Sequence, residues 1–270
     1  MQKKITTKKS LGQYFLNSPK IIDDIVLAGR VETSDVIIEI GPGEGVLTSK
    51  LLSAGAHVIT IEKDDRLIPE LQKKFAREIA THQLDLIHAD VLDLGLPHIT
   101  NSDYKVVANI PYYITGQIIR MFLESDRQPK SMTLLVQKEV AERIVAKDGK
   151  ETLLSLSVKI YGEPKLVRVV GRGAFTPQPN VDSAVLSIEN ISKEKLADID
   201  LPTQAGEKLF FDIIHIGFAH KRKQLLSNLS NIYKKEVLLK AFEKCGIDIK
   251  ARAEDVGLKT WLLLCNIIAK

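Results

Sequence analysis

The stretch Val36-Ile37-Ile38-Glu39-Ile40-Gly41-Pro42-Gly43-Glu44-Gly45 decides the fold. Five residues rich in β-branched side chains read as a buried strand. The glycines directly after them let the backbone turn tightly and approach a ligand closely. Val46 to Ala54 then carries helix-like apolar spacing, so the unit is strand, glycine turn, helix.

The same alternation extends on both sides. His57-Val58-Ile59-Thr60-Ile61, Leu84-Asp85-Leu86-Ile87-His88 and Lys105-Val106-Val107-Ala108 read as further buried strands, and Asp65 to Ile79 reads as a helix. Upstream, Ser18-Pro19 is a cap followed by a first-turn proline, opening a helix through Ala28. Strands alternating with helices imply a parallel sheet covered on both faces, with ligands at the carboxyl ends of its strands. After Ser187 the pattern changes. Residues 190–203 are polar and contain Pro202, and from Gln204 onward every segment is helical in period. The expected organisation is an α/β domain over 1–189 and a small all-helical domain over 190–270.

Composition agrees with this plan. A chain of 270 residues, 44% hydrophobic and 27% charged, is long enough for one large and one smaller domain. The net charge of +4 permits a nucleic-acid partner without requiring one. Cys245 and Cys265 lie in apolar-patterned segments and are expected as buried thiols. Neither they nor the six histidines show metal-ligand spacing, so no metal site is expected. Lys3, Lys4, Lys8 and Lys9 are followed by no apolar run of signal-peptide length. The apolar run Trp261 to Ala269 falls well short of the ~20 residues that cross a bilayer. A soluble, cytoplasmic protein with no membrane partner is the expectation.

Three segments carry chemistry. Glu62 ends the next strand, 21 residues after Gly41, where a carboxylate grips ribose hydroxyls. Position 46 is Val rather than the third glycine of a dinucleotide fingerprint, and Glu44 puts negative charge into the turn. That charge opposes a pyrophosphate and is tolerable beside a sulfonium cation. With Glu62 and Asp90 at successive strand ends, S-adenosylmethionine is favoured over a dinucleotide. The second segment is Asn109-Ile110-Pro111-Tyr112, at the end of the fourth of these strands. The exocyclic amine of adenine is a poor nucleophile because its lone pair is delocalised into the ring. A carboxamide oxygen from Asn109 and the carbonyl of Ile110, held by the stiff Pro111, suit its two N–H bonds. Tyr112 offers an aromatic face to a base lifted from its stack. The third is Phe175-Thr176-Pro177-Gln178-Pro179-Asn180-Val181-Asp182-Ser183, an extended loop held by prolines. Phe175 either forms the other wall of an aromatic clamp or packs into the core.

Lys9-Ser10-Leu11-Gly12-Gln13-Tyr14-Phe15-Leu16, the Glu39–Gly45 loop, Asn109–Tyr112, Gln137-Lys138-Glu139-Val140 and Phe175–Ser183 together resemble ribosomal RNA adenine dimethyltransferases of the KsgA type. The likeness runs from about Lys9 into the helical tail, where His220-Lys221-Arg222-Lys223-Gln224-Leu225 is similar to that family's basic tract. It implies a Rossmann-like methyltransferase sheet, mostly parallel with its last strand reversed. It also implies two methyl groups placed on each of two adjacent adenosines near the 3′ end of small-subunit rRNA, during subunit assembly. By the resemblance Tyr14, Leu16, Gly41, Gly43, Glu62, Asp90 and Asn109 line the S-adenosylmethionine pocket, with Glu62 on the ribose and Asp90 on the cofactor's adenine amine. Asn109, Ile110, Pro111, Tyr112 and Phe175 handle the target base. Tyr14 departs from the family's usual Asn, which removes a side-chain amide contact there and leaves a backbone contact or a pocket wall.

Positive charge gathers at Lys3, Lys4, Lys8 and Lys9, at Lys138 and Arg143, and at Lys221, Arg222 and Lys223. Such groups either neutralise RNA phosphates or form solvated surface. The expected partner is small-subunit rRNA in a pre-ribosomal particle, met by a monomer. Two rivals stand beside this reading: a large-subunit adenine methyltransferase of the antibiotic-resistance type, and a non-catalytic assembly or transcription factor on the same fold.

Overall fold

The computed structural model describes residues 14–95, 99–146 and 149–269. Lys3, Lys4, Lys8 and Lys9, with the segment Leu11-Gly12-Gln13, lie outside the described residues.

Strand β1 (Phe15–Leu16) is two residues long. It is followed by the helix Pro19–Ala28, where Pro19 takes the first turn and Ser18 is extended, as the cap signal requires. Ser18 caps through backbone geometry alone, because its side chain makes no capping bond. The four apolar runs form β2 (Val36–Ile40), β3 (His57–Glu62), β4 (Leu84–His88) and β5 (Lys105–Asn109). Three more strands complete the sheet or flank it: β6 (Met132–Gln137), β7 (Glu163–Val170) and, after the two-residue β8 (Phe175–Thr176), β9 (Ser183–Glu189).

Seven of these lie in the order β4-β3-β2-β5-β6-β9-β7. Pairings from β4 through β6 are parallel, and β9 runs antiparallel to both β6 and β7. Within this sheet only β9, its last strand in chain order, is therefore reversed. The central strands are covered on both faces, so Ile37, Val58, Val106, Leu134 and Leu186 are fully buried. Each such side chain removed from water contributes on the order of 1.5–3 kcal/mol before conformational entropy is counted. The edge strand β7 is different. Its exposure alternates, leaving Glu163, Lys165, Val167 and Val169 on the open face. A separate two-stranded pairing joins β1 to β8, with Leu16 opposite Phe175.

The helix expected over Asp65–Ile79 is two helices, Ile68–Lys74 and Ala76–Ala80. The break is at Phe75, whose φ of −112° and ψ of 27° leave the helical region so that its ring can bury in the core.

By their internal contacts the residues form two units, 1–141 with 163–191, and 142–162 with 192–270. Residues 142–162 thus group with the helical unit rather than with a continuous 1–189 domain. The helix Leu153–Lys159 packs on the helix Thr203–Phe218. Glu151 N–H donates to the carbonyl of Glu254, and Lys195 Nζ to the carbonyls of Lys159 and Gly162. These partners are far away in sequence, so local pattern could not reveal the membership.

The second unit has its own core of Phe210, Ile214, Leu238, Phe242 and Trp261. Its helices approach closely enough that a Cβ on Gly217 would stand 2.5 Å from Trp261 Cη2. Cys265 is buried there as expected, and burial pushes its thiol up to about 12, whereas Cys245 is only half-buried. No helix among the described residues is long and apolar enough to cross a membrane, and no cluster of three or more His, Cys, Asp or Glu side chains suits a metal.

Candidate active site at the carboxyl ends of the strands

The carboxyl ends of β2, β3, β4 and β5 surround a cavity of about 510 Å³ in the first unit. Tyr14, Leu16, Gly41, Gly43, Glu62, Asp90, Asn109, Ile110, Pro111 and Tyr112 all line it. Residues dispersed over nearly a hundred positions of sequence therefore meet at one place, because parallel strands end on the same side of their sheet.

The loop after β2 is shaped by its glycines. Gly43 has φ +58°, and a Cβ there would stand 3.0 Å from the Phe15 ring, so any other residue would be strained beside β1. Its N–H donates to Glu62 Oε2 at 3.3 Å, while Asp64 N–H donates to Oε1 at 2.7 Å. Two backbone donors thus aim the Glu62 carboxylate, which is 6% exposed. Burial raises its pKa, and these two bonds work against that rise.

Glu39 is a participant that sequence reasoning placed in the loop without giving it a role. Its side chain is 1% exposed and accepts a 2.6 Å bond from Thr48 Oγ1. Burial pushes its carboxyl up to about 8. Thr48 and Lys74 lower it, and the charge of Glu62 raises it. Glu39 so raised is a neutral acid at neutral pH, and Glu62 is the buried carboxylate that puts negative charge on the cavity wall. That suits a cationic ligand and disfavours a pyrophosphate.

Asp90 caps the short helix Val91–Leu94 by accepting from Leu92 N–H at 3.0 Å through Oδ1. Its Oδ2 accepts from Lys63 Nζ at 2.5 Å, a bond that holds the Asp90 carboxyl below its ordinary value. Lys63 lines the cavity too, and no sequence signal marked it. The acceptor set fits S-adenosylmethionine: carboxylate oxygens of Glu62 and Asp90 at two strand ends suit hydroxyls and an amine.

Asn109 Nδ2 donates to the backbone carbonyl of Tyr14 at 3.3 Å. That bond fixes the carboxamide's rotation, so that Oδ1 is the atom left to accept. The Tyr112 hydroxyl is 2.5 Å from Ser183 Oγ, at the start of β9, and burial raises its pKa. The Tyr112 ring stacks on the Tyr14 ring, with centroids 5.5 Å apart and planes at 25°.

Phe175 does not reach the cavity. It is 4% exposed and packs in the core with Leu16, Ile22, Leu135 and Val185, because its pairing opposite Leu16 turns the ring inward. The clamp expected from Phe175 is therefore corrected, and the core alternative holds. The Phe175–Ser183 segment contributes Ser183 to the site instead. Lys138 is half-buried and Arg143 exposed on the helix Lys138–Ile144. Lys221, Arg222 and Lys223 are exposed in the turn between the helices Thr203–Phe218 and Leu225–Leu229.

A sheet with only its last strand reversed, ending in this cavity, defines a Rossmann-like S-adenosylmethionine-dependent methyltransferase. The profile of the family described as Ribosomal RNA adenine dimethylase matches residues 4–270, and the chain belongs to that family. It is 41% identical over 268 residues to the Ribosomal RNA small subunit methyltransferase A of Dehalococcoides mccartyi, covering 97% of this chain and 88% of the relative. The protein of that name from Shouchella clausii is 40% identical, with 97% and 90% covered. Among solved structures, a dimethyladenosine transferase from Plasmodium falciparum superposes with a TM-score of 0.78 at 27% identity, covering 93% of this chain and 95% of that one. The 23S rRNA methyltransferase ErmE superposes with a TM-score of 0.76 at 25% identity, covering 95% and 100%.

Proposed function

We propose that this protein transfers methyl groups from S-adenosylmethionine to N6 of two adjacent adenosines near the 3′ end of small-subunit rRNA, giving N6,N6-dimethyladenosine. It acts as a cytoplasmic monomer on a pre-ribosomal particle. The observation that carries the chemistry is the Asn109–Tyr14 bond at 3.3 Å, which leaves Asn109 Oδ1 as an acceptor in a cavity that Tyr112 also lines.

S-adenosylmethionine, when bound, supplies an electrophilic methyl group. Glu62 would hold its ribose hydroxyls and Asp90 its adenine amine, with Tyr14, Leu16, Gly41 and Gly43 as walls. Asn109 Oδ1 and the Ile110 carbonyl accept the two N–H bonds of the target amine, which turns the nitrogen lone pair out of the ring system. Tyr112 stacks the extruded base. The proton leaves to water after transfer, so no general base is assigned. Lys138, Arg143, Lys221, Arg222 and Lys223 neutralise phosphates.

The large-subunit reading has one specific support, the close superposition on ErmE. Identity favours the small subunit: 41% to a small-subunit enzyme against 25% to ErmE. Labelled-methyl transfer to undermethylated small and large subunits, followed by nucleoside mass spectrometry, tests the choice. Dimethyladenosine appearing only in large-subunit rRNA would overturn it. A non-catalytic role is opposed by the complete set Gly41, Glu62, Asp90 and Asn109 around the cavity.

A further inference from the structure

Tyr14 touches both groups assigned to the target base, through two different atoms. Its carbonyl accepts from Asn109 Nδ2, and its ring stacks on Tyr112. The spacing decides what the ring pair can do. A base held between two rings needs about 7 Å between their centres, two carbon contact distances of ~3.5 Å. At 5.5 Å and 25° the rings of Tyr14 and Tyr112 are already in contact, within the favoured range for offset aromatic pairs. They are a single two-ring platform, not a clamp waiting to be filled. Phe175 supplies no second ring, since it is buried in the core.

From this arrangement we infer that Tyr14 is a positioning residue for the target base, its ring backing Tyr112 and its carbonyl setting the rotation of Asn109. The inference rests on the reading above that Tyr112 stacks the adenine. Tyr112 is then held at both ends: Ser183 Oγ fixes its hydroxyl, and the Tyr14 ring fixes its plane. Order imposed before the base arrives need not be imposed by the base, which lowers the entropy lost on binding. An asparagine at position 14 would keep the carbonyl and lose the platform.

The test compares Tyr14→Phe, Tyr14→Leu and Tyr14→Asn, all of which keep the backbone carbonyl. One readout is emission from an RNA of the small-subunit 3′ end carrying 2-aminopurine in place of a target adenosine, which is quenched by stacking. The other is the single-turnover rate on undermethylated small subunits with cofactor saturating. Tyr14→Phe keeps the ring and should stay nearer the wild-type protein than the other two variants in both readouts. Tyr14→Leu retains apolar bulk and Tyr14→Asn removes it. Each should lose part of the quench and run roughly 2- to 12-fold slower, the range set by one aromatic pair. Leu equal to Phe in both readouts would reduce Tyr14 to apolar filling. Faster turnover or stronger quench with Leu or Asn would make the ring an obstacle to the base. Either result overturns the inference. Failure of the wild-type protein to methylate small subunits would instead count against the proposed function, and the quench ranking reads Tyr14 separately from it.

Discussion

Ser183 Oγ lies 2.5 Å from the hydroxyl of Tyr112, across 71 residues of sequence. The bond ties the first residue of β9 to the turn that follows β5. It gives the Phe175–Ser183 segment a place in the site that differs from the aromatic wall its sequence suggested.

Ser183→Ala and Tyr112→Phe remove the same bond from opposite ends. Each should lower turnover by only a few-fold, in line with a net hydrogen-bond worth of about 0.5–1.5 kcal/mol. The double variant should be no worse than the weaker single one, since the second change has nothing left to remove. Tyr112→Ala, which also deletes the ring, should lose much more. A double-mutant cycle on kcat checks this, and additive losses would mean that the two hydroxyls act separately.

Glu39 makes stability fall as pH rises. Its folded carboxyl titrates near 8, above the ordinary 4.5. Between those values the folded chain holds a proton that the unfolded chain has released, so folding is favoured toward the acidic side of the window. The contribution is full below about pH 4.5 and is lost by about pH 8. Glu39→Gln keeps an acceptor for Thr48 and carries no charge. Its Tm, measured without cofactor, should therefore drop less between pH 5 and 8 than the wild-type Tm. Parallel curves would show that Glu39 is ionised throughout.

Glu62→Ala should weaken S-adenosylmethionine binding by about 10- to 150-fold, the loss of a charge-assisted acceptor worth about 1.5–3 kcal/mol. RNA affinity should hold. Calorimetry with unchanged cofactor affinity would remove Glu62 from the pocket. The Gly43 and Asp64 N–H groups also lose their acceptor in this variant, so the Tm is a necessary companion measurement.

The central strands were legible because burial on both faces makes them continuous apolar runs, and β2 to β5 fall where Val36–Ile40, His57–Ile61, Leu84–His88 and Lys105–Ala108 placed them. Strand β7 was not, since an edge strand carries Glu163 and Lys165 on its open face and resembles a surface segment. Met132–Gln137 is as long and as buried as the central strands, but its Met, two Leu and Gln suit a helix as well as a strand, so residue type did not separate the two. In the site, glycines and acids at strand ends were legible because each strand end is a local event. The Ser183–Tyr112 bond and the inward turn of Phe175 depend on pairings of β9 and β8 with distant strands, which no local pattern carries.

Replacing Lys221, Arg222 and Lys223 together by Ala should lower RNA affinity and flatten its salt dependence. The slope should change by roughly 0.7–0.9 log units for each phosphate that is no longer neutralised. All three side chains are exposed in one turn, so the fold should be unaffected. Binding titrations at several salt concentrations check this, and an unaltered slope would return the tract to solvated surface.

Asn109 bears the most weight. Its amide nitrogen is held by the Tyr14 carbonyl at 3.3 Å, and in the proposed function the remaining oxygen accepts from the target amine. That interaction strengthens as the amine becomes pyramidal, so its worth appears mainly in the transition state. Asn109→Ala should lower kcat by about 100-fold or more, as for other oriented polar groups at reacting centres. Asn109→Asp tests the orientation itself. A carboxylate still offers an acceptor, but it has no N–H for the Tyr14 carbonyl, and the two oxygens repel. Asn109→Asp should therefore fall well below the wild-type rate despite its acceptor. Single-turnover methylation of undermethylated small subunits, with RNA and cofactor both saturating, isolates the chemical step. A wild-type rate for Asn109→Ala under those conditions would refute the assigned chemistry whatever the fold. A wild-type rate for Asn109→Asp alone would leave Asn109 as an acceptor and remove the Tyr14 carbonyl from its positioning.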